Sequence, residues 1–106
     1  MARNVRLPLS PRVVEALARF GASLKDIRRR RRIPMAHAAY RALISRSTLH
    51  KVERGDPGVS LGIYATVLAD YGLVERLAVM VDARWDRTGL ALEESRLPRR
   101  IRTPSV

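Results

Sequence analysis

A chain of 106 residues is long enough for one modest core and too short for two independent cores with a linker between them. Hydrophobic residues make up 46% of it but aromatics only 5%, so the core must come from Leu, Val, Ile and Ala, which favours an all-α bundle over a β-sandwich. The 21 Lys and Arg against 10 acids leave a formal charge of +11, more than solubility requires, and point to a polyanionic partner.

Without cysteine there is no disulfide, thiolate metal site or Cys nucleophile, and His37 and His50 are too isolated to form a metal cluster. No cofactor or metal is expected. The acids are scattered and no Gly-rich phosphate loop follows a strand, which argues against an enzyme and a small-molecule substrate. The first eleven residues lack the apolar core of a signal peptide, and no apolar run approaches the ~18 residues that span a bilayer. A cytoplasmic protein with no membrane partner is expected.

Residues 1–9 have little periodicity and read as an N-terminal arm. Ser10-Pro11 supplies an N-cap and a proline at the first helical position. Val13, Val14, Leu17, Phe20, Leu24 and Ile27 then make an apolar stripe along a helix to about Arg31, or along two helices if Gly21 divides it. Five consecutive arginines, Arg28 to Arg32, close the segment where the macrodipole favours cations, and suggest an anionic partner.

Ile33-Pro34 breaks this helix. A second runs from Met35 to Ala42 with Ala38, Ala39 and Ala42 as a small-residue face, and Leu43-Ile44 turns the chain. Ser45 caps a third, Arg46 to Arg54, ended by Gly55. It turns Leu49 and Val52 inward with Ile44, leaving Arg46, Ser47, His50, Lys51 and Arg54 outside. Asp56-Pro57-Gly58 is a turn, and Ser60 caps a fourth helix, with Leu61, Tyr64, Ala65, Leu68 and Ala69 as its stripe and Gly72 as its stop.

Leu73 to Val81 reads as a fifth helix, with a short strand at 77–81 as the alternative. Trp85 stands alone among charges, and residues 86–106 read as a short helix around Leu90 and Leu92 followed by a flexible basic tail. The domain expected is residues 10–85, including a dimerisation segment at 73–85.

The run from Ile33 to Gly55 resembles the helix-turn-helix of the Xre/Cro/phage-repressor family, L-T-x-x-E-L-A-x-x-x-G-V-S-x-x-T-L-S-x-I-E-x-G. Ile33, Ala39, Ile44, Ser45, Thr48, Leu49, Val52, Glu53 and Gly55 match without gaps. Pro34, Met35, Ala38 and Leu43 depart from it, Leu43 standing where the turn usually has glycine. The resemblance implies a compact, lambda-repressor-like bundle of about five helices and a sequence-specific transcriptional regulator bound to double-stranded operator DNA in the bacterial cytoplasm or nucleoid. It implies that Arg46, Ser47 and Lys51 read bases, that Thr48, His50, Arg54 and the Met35 position meet phosphate, and that Glu53 pairs with Arg28.

One recognition helix reads only a few base pairs, so a homodimer is expected, with Val74, Leu77, Val79, Met80, Val81 and Trp85 as its interface. Residues 55–73 and the basic tail further resemble the HipB-like antitoxin branch. That resemblance implies a HipA-like kinase toxin as partner and repression of the protein's own operon. A stand-alone repressor, or a non-specific RNA- or membrane-binding basic module, are the alternatives.

Overall fold

The computed structural model describes residues 8–96. They are helical, with no strand among them: α1 (Pro11–Arg30), α2 (Met35–Arg41), α3 (Arg46–Arg54), α4 (Leu61–Asp70), α5 (Glu75–Val79), a short 3-10 turn (Ala83–Trp85) and α6 (Arg87–Arg96). None of these helices is long and apolar enough to cross a membrane. The all-α expectation therefore holds, and 77–81 contains the end of a helix rather than a strand. The basic tail from Leu97 onward and residues 1–7 of the arm lie outside the described residues.

Contacts divide the chain into two units, one ending at Val74 and the other beginning at Glu75, whereas the sequence suggests a single domain over 10–85. The first unit holds the core: Leu24 from α1, Ala38 and Ala39 from α2, Leu49 and Val52 from α3, and Tyr64, Val67 and Leu68 from α4 are all buried. Burying a side chain of the size of Leu24, Leu49, Val52 or Val67 stabilises the fold by about 1.5–3 kcal/mol. The second unit buries none of its described residues.

Serine caps start three of the helices as anticipated. The Ser10, Ser45 and Ser60 hydroxyls accept from the amides of Val13, Thr48 and Ile63 at 3.3, 3.0 and 3.2 Å. Pro34 occupies the corresponding place before α2, where it offers no side-chain cap.

Gly21 does not divide α1, and packing explains why. A Cβ on Gly21 would stand 2.4 Å from the Gly55 nitrogen, and one on Gly55 would stand 1.9 Å from the Leu17 carbonyl oxygen. The missing side chains let the middle of α1 lie directly on the C-terminal end of α3, so an uninterrupted α1 is the condition for that contact. The helix extends beyond its partner: Val13 and Val14, assigned to the core stripe by periodicity, are about half exposed among the described residues. Leu61 is likewise exposed, and Tyr64, Val67 and Leu68 are the residues α4 buries.

Four helices end in the same way, with the sixth residue's amide bonded back to the first carbonyl: Ile33 to Arg28, Ile44 to Ala39, Asp56 to Lys51 and Leu73 to Leu68. This closure needs a left-handed residue, and the four are Arg32, Leu43, Gly55 and Gly72, at φ 57°, 59°, 70° and 78°. Leu43 is 87% exposed, so its side chain gains little burial in return for the strain. Leu43→Gly should therefore raise stability by about 1 kcal/mol, read as a higher midpoint in thermal or urea unfolding; a lower midpoint would show that the leucine side chain holds the turn.

Candidate nucleic-acid interface

Helix α3 sorts its residues by face. Leu49, Val52 and Glu53 are buried, while Arg46, Ser47, His50, Lys51 and Arg54 are exposed. Two cations and a serine on the exposed face stand where the sequence places base readers, and the small Ala38, Ala39 and Ala42 beneath them let α2 approach α3 closely.

The proposed phosphate contacts differ in what they offer. His50 and Arg54 project from the exposed face. Thr48 is half-buried and its hydroxyl accepts from Ser45 Oγ at 2.9 Å, which fixes the rotamer beside the helix start. Arg54 approaches Asp56 only to 3.8 Å with its side chain largely exposed, so its guanidinium is loosely tethered. Met35 is half-buried, and a thioether has no hydrogen to donate, so a phosphate contact at that position falls to its backbone amide.

Beside α3 lies a groove of about 620 Å³ lined by Thr48, Lys51, Asp56, Gly58, Val59, Ser60 and Ile63. Its floor is ordered by local bonds. The Gly58 amide donates to Asp56 Oδ1 at 2.7 Å, and the Tyr64 hydroxyl donates to the Asp56 carbonyl at 2.8 Å. Burial raises the Tyr64 hydroxyl pKa above its ordinary value, with the Asp56 charge adding to the effect. The groove joins the α3 face to the start of α4, a surface that the pattern of single helices does not show; Asp56-Pro57-Gly58 was legible only as a turn.

The interface is held from behind by the pair anticipated between Arg28 and Glu53. Arg28 Nε donates to Glu53 Oε2 at 2.7 Å and Nη2 to Oε1 at 3.1 Å, while Nη1 donates to the Ile33 carbonyl at 3.0 Å. The fork thus joins α1, the loop after it and α3. The hydrogen bond to Glu53 raises the Arg28 pKa further, outweighing desolvation.

Arg31 is a second structural arginine that the sequence did not single out. Its Nη2 donates to the Tyr71 carbonyl at 3.2 Å, and its guanidinium lies 5.4 Å from the centre of that ring. Two of the five consecutive arginines, Arg28 and Arg31, are therefore engaged within the fold, although Arg31 is exposed like Arg29, Arg30 and Arg32. Of these, Arg30 is weakly paired with Asp26 at 3.4 Å.

Of the residues assigned to a dimer interface, one lies in the first unit and five in the second. Val74 is half-buried in the first unit, Leu77 is half-buried in the second unit, and Val79, Met80, Val81 and Trp85 are exposed in the second. No group of three or more His, Cys, Asp or Glu residues suited to a metal occurs among the described residues. No family model, curated protein or solved structure matches this chain.

Removing either member of the Arg28–Glu53 pair leaves a buried group without its partner. Arg28→Ala and Glu53→Ala should each cost about 3 kcal/mol, measured by denaturant unfolding, and wild-type stability in both would exclude the pair as the tie between α1 and α3. The neighbouring Tyr71 hydroxyl is buried with no hydrogen-bond partner among the described residues. Tyr71→Phe should accordingly gain about 1 kcal/mol. Burial first, then the Glu53 charge, raises the Tyr71 pKa above its ordinary 10.0. The folded state thus keeps a proton that the unfolded chain releases, and stability is lost as pH rises beyond about 10. The same substitution should flatten that alkaline loss in unfolding measured across pH; an unchanged slope would assign it to other groups.

Proposed function

We propose that this protein is a sequence-specific DNA-binding transcriptional regulator whose α2, turn and α3 act as a helix-turn-helix. The observation that carries the reading is the division of α3 into a buried face of Leu49, Val52 and Glu53 and an exposed face of Arg46, Ser47, His50, Lys51 and Arg54. A helix so anchored can enter a major groove, where an arginine or lysine meets the paired O6 and N7 acceptors of guanine. Arg46, Ser47 and Lys51 read bases. Thr48, His50 and Arg54 meet the backbone, and the groove between α3 and α4 receives a phosphate strand alongside Lys51.

The first unit carries the charge that such a partner requires. Residues 8–74 contain twelve Lys and Arg against five acids. Specific recognition of a useful length of DNA then calls for two copies on a two-fold site. The resemblance of residues 55–73 to HipB-like antitoxins extends the reading to a subunit that neutralises a HipA-like kinase toxin and represses its own operon. Co-expression with the adjacent gene tests that extension: recovery of a kinase-like partner in the complex supports it, and regulation with no such partner makes the protein a stand-alone repressor.

Binding to promoter DNA, random DNA and RNA should separate specific reading from charge alone. If the dimer neutralises about eight phosphates, log K should fall with log salt at a slope near −7. Arg46→Ala and Lys51→Ala should each lose about 1–3 kcal/mol of discrimination at one base position. Equal affinity for all three nucleic acids, with both variants unchanged, would refute base reading by α3.

A further inference from the structure

The second unit is short of a core. Across residues 75–96 not one described residue is buried, yet Val79, Met80, Val81, Trp85, Leu90 and Leu92 are large apolar side chains at 42–79% exposure. Met80, Val81 and Trp85 line a hollow of about 320 Å³ whose remaining walls are Asp82 and Asp86, and Asp86 stands immediately before α6. A surface of this kind is covered when the protein is at work.

Charge identifies what covers it. Residues 75–96, the stretch that carries the hollow and α6, hold four Lys and Arg against five acids, in contrast to the strongly basic 8–74 and to Arg99, Arg100 and Arg102 that follow, so this stretch offers neither nucleic acid nor an anionic lipid surface an electrostatic reason to bind. The near-balanced signs are instead arranged for self-recognition. Arg87, Leu90, Ala91 and Glu94 follow one another at intervals of three, one and three residues, which sets them along one face of α6, with cation and acid at opposite ends. All four are exposed, and among the described residues neither Arg87 nor Glu94 has an ion-pair partner.

We infer that α6 is the core of a two-fold interface with a second copy of this chain, the two α6 helices lying antiparallel. About such an axis Leu90 and Ala91 of the two copies meet at the centre, and Arg87 of each stands opposite Glu94 of the other, so one contact is made twice. The same arrangement carries the end of one α6, with Arg96, toward the hollow of the other copy, where Asp82 and Asp86 supply the opposite charge. A parallel pairing would set like charges against each other. The inference deepens the two-copy part of the proposed function and moves the interface from 73–85 onto α6. It does not depend on DNA recognition, because the association is measured without DNA.

The test is sedimentation equilibrium of the full-length chain from micromolar to hundreds of micromolar, with the emission of Trp85, the single tryptophan, followed over the same range. A reversible dimer is expected, with emission moving to shorter wavelength as it forms. Arg87→Glu and Glu94→Arg should each weaken association on the order of tenfold, since each spoils two symmetric pairs, and the double exchange Arg87→Glu/Glu94→Arg should restore it. Circular dichroism melting of the first unit should be the same in all four proteins. A wild-type chain that stays monomeric overturns the proposal. So do single variants that associate like wild type, and so does a double variant that remains as weak as either single one.

Discussion

The clamp between α1 and α3 is the constraint on which the first unit depends. It has two parts, an apolar contact made possible by the absence of side chains at Gly21 and Gly55, and a buried fork from Arg28 to Glu53. The first sets how close the helices come, because a single Cβ on either glycine would overlap backbone. The second sets the register, because a bidentate guanidinium–carboxylate pair tolerates little sliding. Since Glu53 sits on the buried face of α3, fixing its carboxylate also fixes which way Arg46 and Lys51 point. A buried ion pair adds little net stability compared with an apolar pair of similar size; what it contributes here is orientation, the property that the proposed reading helix needs.

The clamp is relayed to the rest of the unit through helix ends. Arg28 also holds the Ile33 carbonyl, and Arg31 holds that of Tyr71, so the cationic end of α1 fastens both the start of the α2 loop and the end of α4. On another side Arg41 of α2 donates to Asp70 of α4 at 3.1 Å. Phe20 of α1 meets Tyr64 of α4 with ring centres 5.6 Å apart, and the Tyr64 hydroxyl then grips the loop after α3. The α3 face is therefore supported by α1 at its C-terminal end, by α2 along its length, and by α4 through the loop that forms the groove floor.

What could be read from the sequence divides along physical lines. Local chemistry was legible: the serine caps, the stop at Gly55 and the burial of Leu49 and Val52 depend on residues a few positions apart. The Arg28–Glu53 pair, twenty-five residues apart, was legible only through the family resemblance, because no periodicity links a guanidinium to a distant carboxylate. Periodicity misplaced Val13, Val14 and Leu61, since it reports which face of a helix is apolar but not where along the helix the neighbours end. It also hid Arg31 within a run of like residues, where only packing distinguishes a cation stacked on Tyr71 from one in solvent. The turn at Leu43 shows the opposite case: the departure from glycine was visible, and the backbone adopts the left-handed conformation regardless. The closure from Ile44 to Ala39 needs that conformation whichever side chain occupies the position.

Charge is spread unevenly over the two units. The first unit, with fourteen Lys and Arg against five acids, repels a second copy of itself unless a polyanion lies between them, so its own surface is poorly suited to self-association in free solution. Residues 75–96 have lost that excess and expose apolar side chains in its place. With the proposed pairing placed in the second unit, a shared polyanion would offset the repulsion between the two basic first units. The proposed DNA binding and the proposed pairing of copies would thereby be coupled through charge, each strengthening the other most at low salt, where the repulsion and the attraction are both least screened.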